Sequence, residues 1–274
     1  MKIAVLSGKG GAGKTMAAVN LAVTAGKAAY IDCDVEEPNG RLFLKPENVK
    51  EETVYTVLPA FDGEKCTGCR ECVKHCRFHA LIYIKEKPQV FSEVCHSCGL
   101  CSMVCPEKAV TEIRKPVGKV QVGMSGETKV VTGILNTGEG SGIGVLQAAL
   151  AHQEDMTIID CPPGSACSVM ESVQGADYCV LVAEPTAFGF HNFKMVRELV
   201  GLLHKPCGVI INKMEAPYEP LENFCRQENL PVLARIPYNP ETAEAISRGI
   251  VVSREDPQMR EIFANVLEKI GGTQ

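Results

Sequence analysis

Apolar residues in this chain come in short unbroken runs, separated by longer stretches with helical spacing. "KIAVLS" (2–7), "AAYIDCD" (28–34), "MTIID" (156–160), "YCVLVAE" (178–184) and "PCGVIIN" (206–212) are runs of strand length without alternation. Such runs predict strands buried on both faces. "KVQVG" (119–123) and "KVVTG" (129–133) predict two more. Between them lie amphipathic stretches, among them a helix from about Lys14 to Ala25 and another over "GIGVLQAALAHQ" (142–153). Strands alternating with helices predict an α/β fold: a mostly parallel sheet with helices on both faces. Near the end, "PQMREIFANVLEKI" (257–270) puts Met259, Ile262, Phe263, Val266, Leu267 and Ile270 on one helical stripe. Its polar face mixes Arg260 and Lys269 with two glutamates, which favours packing on the sheet over lying on a membrane.

Residues 59–115 break this rhythm. "CTGCRECVKHCRFHALIYI" (66–84) and "CHSCGLCSMVCPEKAVTEI" (95–113) superimpose at an offset of 29 residues. All four cysteines coincide, and so do Ala80 with Ala109 and Ile84 with Ile113. Two copies predict a pseudo-twofold miniature domain, flanked by Pro59 and Pro116, with "KEKP" (85–88) as the charged linker between halves. The main domain is then discontinuous, 1–58 and 116–274, with 59–115 inserted.

Composition narrows the chemistry. Of 274 residues, 45% are hydrophobic and 22% charged, an ordinary globular balance. A net charge of -5 argues against nucleic acid as the main partner. The N-terminal run reaches glycine before a signal-peptide core forms, and no run approaches a membrane span, so a cytoplasmic location is expected. Fourteen cysteines in such a chain point to metal, and eight of them fall between residues 66 and 105.

"GKGGAGKT" (8–15) fits the P-loop pattern between a strand and a helix. Backbone N–H groups of Gly8, Gly10, Gly11, Ala12, Gly13, Lys14, Thr15 and Met16 are the expected phosphate contacts, helped by the helix N-terminus. Lys14 is expected to reach the β- and γ-phosphates and Thr15 to hold Mg²⁺. A second lysine, Lys9, follows the first glycine. This form resembles the deviant Walker A of the MinD/ParA/Mrp family of P-loop ATPases, which includes the nitrogenase iron protein. The resemblance implies an ATP-dependent homodimer in which Lys9 reaches the partner's nucleotide. "YIDCDVEEPN" (30–39) resembles the family's switch I, implying a water-orienting carboxylate, Asp34 first and Asp32 next. "TIIDCPPG" (157–164) resembles its Walker B and switch II, implying Asp160 on Mg²⁺ and Gly164 near the γ-phosphate. "GVIINKM" and "ARIPYNPETAEAISRG" resemble its base-recognition segments, implying Asn212, Lys213 and Pro237 beside adenine; Asn212 also reads as a strand-end turn residue.

The repeat is C-x₂-C-x₂-C-x₃-C, twice. It resembles the bacterial two-cluster ferredoxins, implying an inserted α+β ferredoxin-like domain with two [4Fe-4S] clusters. By that family's crossing rule, Cys66, Cys69, Cys72 and Cys105 hold one cluster, and Cys95, Cys98, Cys101 and Cys76 the other. Zinc is the competing metal, and three cysteines per copy at x₂ steps fit it worse. Arg77 stands where the second copy has Pro106, either beside a cluster or merely exposed. Cys179 and Cys207 read as packing residues, and a third cluster near Cys167 is a minor alternative to buried or loop thiols at Cys161 and Cys167.

Together these resemblances imply a slow ATPase with Mg²⁺ and two [4Fe-4S] clusters. Its nucleotide state would be coupled to electron transfer or to maturation of a redox or metal-cofactor-binding partner. The alternatives are an Mrp-type iron–sulfur carrier and, last, a MinD/ParA-like spatial organiser.

Overall fold

The run Lys2–Leu6 forms β1 at the centre of a nine-stranded sheet in this computed structural model, which describes residues 1–272. In chain order the elements are β1 (Lys2–Leu6), α1 (Lys14–Ala25), β2 (Ala29–Asp32), α2 (Gly40–Leu44) and β3 (Glu47–Phe61). Next come α3 (Glu71–His75), β4 (Leu81–Ile84), β5 (Lys87–Val90), α4 (Leu100–Met103), β6 (Val110–Ser125) and β7 (Thr128–Leu135). Then follow α5 (Ile143–Leu150), β8 (Thr157–Asp160), α6 (Cys167–Gln174), β9 (Tyr178–Ala183), α7 (Ala187–Leu202) and β10 (Cys207–Met214). The chain closes with α8 (Glu219–Gln227), β11 (Val232–Pro237), α9 (Pro240–Ser247), α10 (Val252–Glu255) and α11 (Pro257–Gly271).

The strand order is β11-β10-β9-β1-β8-β2-β7-β6-β3. From β11 to β7 every pair is parallel; β6 and β3 join antiparallel at one edge. The strands β1, β2, β8 and β9 are buried along their whole length except at Lys2, because helices cover both faces. On one face Val145, Leu146, Val169, Val173, Phe193 and Val196 of α5, α6 and α7 pack on Ala4, Ile31 and Ile159. On the other, α1 and α11 pack on Ile3, Val5 and Ile158 through residues such as Val19, Leu21, Phe263 and Val266. The apolar stripe of α11 is thus spent on the core, with Met259, Phe263, Val266 and Ile270 buried.

The edge ribbon differs from what the sequence predicts. β3 and β6 pair from Glu47↔Met124 to Phe61↔Val110, with two irregularities: one between Glu47↔Met124 and Lys50↔Val122, and one where Val117 is skipped between Val54↔Gly118 and Tyr55↔Pro116. The expected boundaries at 58 and 116 therefore fall inside strands, with Pro59 in β3 and Pro116 in β6. Residues 62–109 sit at the ribbon's far end. "KEKP" is the turn of the β4–β5 hairpin rather than a linker: Lys85 and Glu86 both have positive φ, as a two-residue hairpin turn demands. In each half a short helix, α3 or α4, follows the second cysteine, and the twins Ala80 and Ala109 are both buried.

Candidate functional site

The loop from Ser7 to Gly13 joins the C-terminal end of β1 to the N-terminus of α1, so the helix's free N–H groups face the cleft above the sheet. Gly13 has φ +97°, and a Cβ there would stand 2.1 Å from Asn212 Nδ2. Asn212 in turn donates to Ala12 O at 2.9 Å, and Lys213 Nζ to Gly11 O at 2.7 Å. The end of β10 thereby braces the loop. Gly8 has another duty: a Cβ would lie 2.1 Å from Asn192 O, so its glycine lets α7 approach.

A cleft of about 560 Å³ opens beside this loop, within the range of small-molecule sites. Lys9, Gly10, Gly11, Gly13, Lys14, Thr15 and Met16 line it, with Asp34, Asn212, Lys213 and Pro237. The structure adds residues that the sequence reading passed over: Glu37 and Asn39 after β2, Phe43 on α2, and Tyr238, Asn239 and Thr242 around the start of α9. Asn239 carried a legible signal, since it caps α9 by accepting from Glu241 N and Thr242 N ahead of Pro240. Gly8, Ala12, Asp32, Asp160 and Gly164 stand outside the lining.

Beneath the cleft lies a buried charged cluster. Lys14 Nζ meets Asp160 Oδ1 at 2.6 Å, and Tyr30 Oη donates to Asp160 Oδ2 at 2.8 Å. Burial works to lower the Lys14 pKa, but Asp160 outweighs it and the ammonium ends above its usual value. Asp32 pairs with Asp160 across β2 and β8 and accepts from Gly40 N at 2.9 Å and Asp34 N at 3.2 Å. Burial, then the Asp160 charge, push the Asp32 carboxyl up against the pull of the Gly40 amide and Lys14. Asp32 thus shapes the switch-like loop from behind, while Asp34, partly exposed, faces the cleft. Lys9 reaches Glu184 of its own chain at 2.6 Å, beside the Phe188 ring at 5.3 Å. Gly164, at φ +90°, donates its N–H to Ser7 O at 3.0 Å.

At the far end of the ribbon are two separate cavities. One is lined by Cys66, Cys69, Cys72 and Cys105. The other is lined by Cys95, Cys98, Cys101 and Cys76. Each cavity takes three cysteines from one copy and the fourth from the other. Ala109 N donates to Cys105 Sγ and Ala80 N to Cys76 Sγ, each at 3.3 Å, a contact that stabilises thiolate. The remaining lining is largely apolar: Phe61, Pro88, Ala109 and Val110 in the first, Val57, Leu58, Pro59, Ala80 and Leu81 in the second. Four soft donors around a mostly apolar void would suit an iron–sulfur cluster. Among the described residues, no group of three or more His, Cys, Asp or Glu side chains is placed to hold a metal ion. Arg77 lines neither cavity.

Among the other cysteines, Cys33, Cys161 and Cys179 are fully buried in the α5–α7 core, with thiols pushed up by burial, that of Cys179 to about 12. Cys167 is exposed at the start of α6. A third cluster at Cys167 would lack its nearest companion, since Cys161 belongs to the core. Among the described residues, no helix is long and apolar enough to cross a membrane.

The sequence model of the CobQ/CobB/MinD/ParA nucleotide binding domain matches residues 3–252. An uncharacterized protein of Methanocaldococcus jannaschii is 27% identical over 281 residues, covering 98% of this chain and 96% of its own. The iron-sulfur cluster carrier protein of Pyrococcus horikoshii is 25% identical over 289 residues, covering 98% of this chain and 85% of its own. The septum site-determining protein MinD complexed with Mg-ADP, also from Pyrococcus horikoshii, shares the fold with a TM-score of 0.61 at 18% identity, over 98% of this chain and 95% of that one.

Proposed function

The chain belongs to the CobQ/CobB/MinD/ParA family of nucleotide-binding domains, and we propose that it is a dimeric Mg-ATP-hydrolysing switch that carries two [4Fe-4S] clusters. In this reading nucleotide state is coupled to electron transfer, or to maturation of a redox or metal-cofactor-binding protein partner. The observation that carries it is the pair of four-cysteine cavities at the end of a ribbon continuous with the nucleotide sheet.

Binding begins with the loop amides from Gly8 to Thr15, which take the phosphates at the α1 N-terminus. Lys14 exchanges Asp160 for phosphate oxygen. The freed Asp160 carboxylate, still held by Tyr30, and Thr15 Oγ are the residues to hold Mg²⁺, which supplies charge neutralisation on the phosphates. Asp34, lining the cleft, orients the attacking water. Asn212, Lys213 and Pro237 flank the base. Lys9 leaves Glu184 when a second copy docks and reaches that copy's phosphates. In the repeat, Cys66, Cys69, Cys72 and Cys105 hold one cluster and Cys95, Cys98, Cys101 and Cys76 the other; clusters there supply one-electron exchange.

A carrier role has one favouring observation, the named function of the Pyrococcus horikoshii relative that spans 98% of this chain. Four cysteines per cavity favour retention over delivery. One experiment decides. Anaerobically reconstituted protein should hold about eight irons per chain, and its ATPase rate should change when the clusters are poised oxidised or reduced. A rate indifferent to oxidation state, together with cluster loss to an apo-acceptor, would replace the coupling reading by the carrier one. Lys14→Ala should abolish hydrolysis while leaving the iron content intact.

A further inference from the structure

The two cavities are related by the repeat, so their linings can be compared position by position at the offset of 29. Most lining positions are matched: Ala109 with Ala80 and Val110 with Leu81 are small or aliphatic in both. Four are not. Thr67, Arg70, Tyr83 and Glu107 line the cavity of Cys66, Cys69, Cys72 and Cys105. Their twins His96, Gly99, Glu112 and Phe78 line the other. The first cavity therefore has a cation and a carboxylate in its wall, and the second a carboxylate with no lysine or arginine among its lining residues.

The backbone shows that Arg70 is held against a cost. Arg70 and Gly99 both cap a short helix from the left-handed region, with φ of +62° and +72°. Glycine occupies that region freely, whereas a side-chain-bearing residue there is strained. The second copy uses glycine, so the turn itself asks for no arginine. Its side chain is also placed. The guanidinium lies over the Tyr83 ring, 4.5 Å from the centroid, and the Tyr83 hydroxyl lies against Gly68, where a Cβ would come within 2.4 Å of it. Lys74, on the same half, is paired with Glu71 at 2.6 Å. Arg70 is the arginine or lysine among the residues that line this cavity. A strained residue stacked on Tyr83, with a glycine twin beside an equivalent site, points to function.

We propose that Arg70 sets the two cluster sites apart in reduction potential, making the Cys66, Cys69, Cys72 and Cys105 site the first to take up an electron. The inference rests on the reading of the repeat as two cluster sites. An added electron makes the bound group one unit more negative. A cation in the wall favours that state, and a carboxylate, Glu107 in the first cavity and Glu112 in the second, opposes it in both, so the difference falls to Arg70. Arg70 acts through the field it imposes, so it is a positioning residue, and its effect belongs to equilibrium potentials rather than to ATP turnover.

The test is a mediated anaerobic reductive titration of the full-length, iron-loaded protein, followed by electron paramagnetic resonance. The wild type should show two reducible species with separate midpoints. Arg70→Gly, which installs the twin's residue and relieves the left-handed strain, should shift the higher midpoint downward, toward the other. The shift should be about tenfold in the reduction equilibrium, the size of one charge interaction near a protein surface. Arg70→Lys should keep most of the separation, and Cys76→Ser should remove the lower-midpoint species. Iron and sulfide content, measured on every sample, separates the two failures. A wild type that takes up no clusters overturns the cluster reading. Normal loading with coincident midpoints, with midpoints unmoved by Arg70→Gly, or with Cys76→Ser removing the higher species overturns the role of Arg70.

Discussion

Asp32 is tightly held in the nucleotide half. It is buried beside Asp160, and only two backbone amides and the more distant Lys14 offset the repulsion. Its carboxyl is held above its unfolded value, mainly by burial and then by Asp160, so the native state binds the extra proton over the window between the two values. Stability from that proton is full below the unfolded value and is lost as pH rises through the folded one. Asn at this position mimics the protonated form, keeping one acceptor for the Gly40 or Asp34 amide. Asp32→Asn, measured without nucleotide, is therefore expected to gain thermal stability relative to the wild type as pH goes from about 5 to about 8. A stability difference that stays flat with pH would show that Asp32 is already ionised without cost. The sequence placed Asp32 and Asp34 two apart at a strand end, and the family resemblance ranked Asp34 first; spacing alone does not show that Asp34 is the one that lines the cleft. That depends on Gly40 folding back to occupy the Asp32 oxygen, a contact eight residues away.

At the scale of elements, legibility followed burial. β1, β2, β8, β9 and β10 announced themselves because both faces are largely covered and their sequences are mostly apolar. β3 did not, because residues 47–53 are all exposed on an edge strand and read as polar loop: "ENVKEET" carries Glu47, Lys50, Glu51 and Glu52. Missing β3 also misplaced the domain boundary, since Pro59 and Pro116 look like breakers and instead sit within the edge ribbon. The α1 helix was legible to the residue because the P-loop fixes its start and Gly26 its end. The corrected ribbon carries a prediction. Neither core cluster contains a residue between 62 and 109. Replacing residues 62–109 by Asn-Gly should then close Phe61↔Val110 as a two-residue hairpin and leave the sheet intact. The expected outcome is a cooperative unfolding transition within a few degrees of the full chain and unchanged nucleotide binding by calorimetry. Aggregation or loss of binding would mean that the cysteine unit is needed for the core to fold.

At the scale of the molecule, the question is how the two halves feel each other across the ribbon. A chain of contacts connects them. Leu135 N donates to Val35 O at 2.8 Å, next to Asp34, and a Cβ on Gly142 would stand 2.5 Å from Val35. Between Leu135 and Gly142, the loop joining β7 to α5 turns toward the cysteine unit. Glu139 meets Lys115 at 2.9 Å, Lys115 reaches Ser92 at 3.4 Å, and a Cβ on Gly140 would lie 1.9 Å from Glu93 O. Two residues further along is Cys95, and Ser97 shares a 2.6 Å hydrogen bond with Thr56 of β3. Any movement of Val35 with nucleotide therefore presses on the segment that leads into the second cysteine set, through packed backbone that has little room to absorb it. Gly140→Val should wedge this contact apart, because the added atoms meet a backbone oxygen rather than a flexible side chain. Hydrogen exchange over residues 91–98 is expected to change when the wild type binds a non-hydrolysable Mg-ATP analogue. In Gly140→Val the same segment should exchange faster at rest and stop responding, while nucleotide affinity holds within about threefold. If the wild-type segment is indifferent to nucleotide, this loop is not the connection, and coupling must run through the β3–β6 ribbon itself.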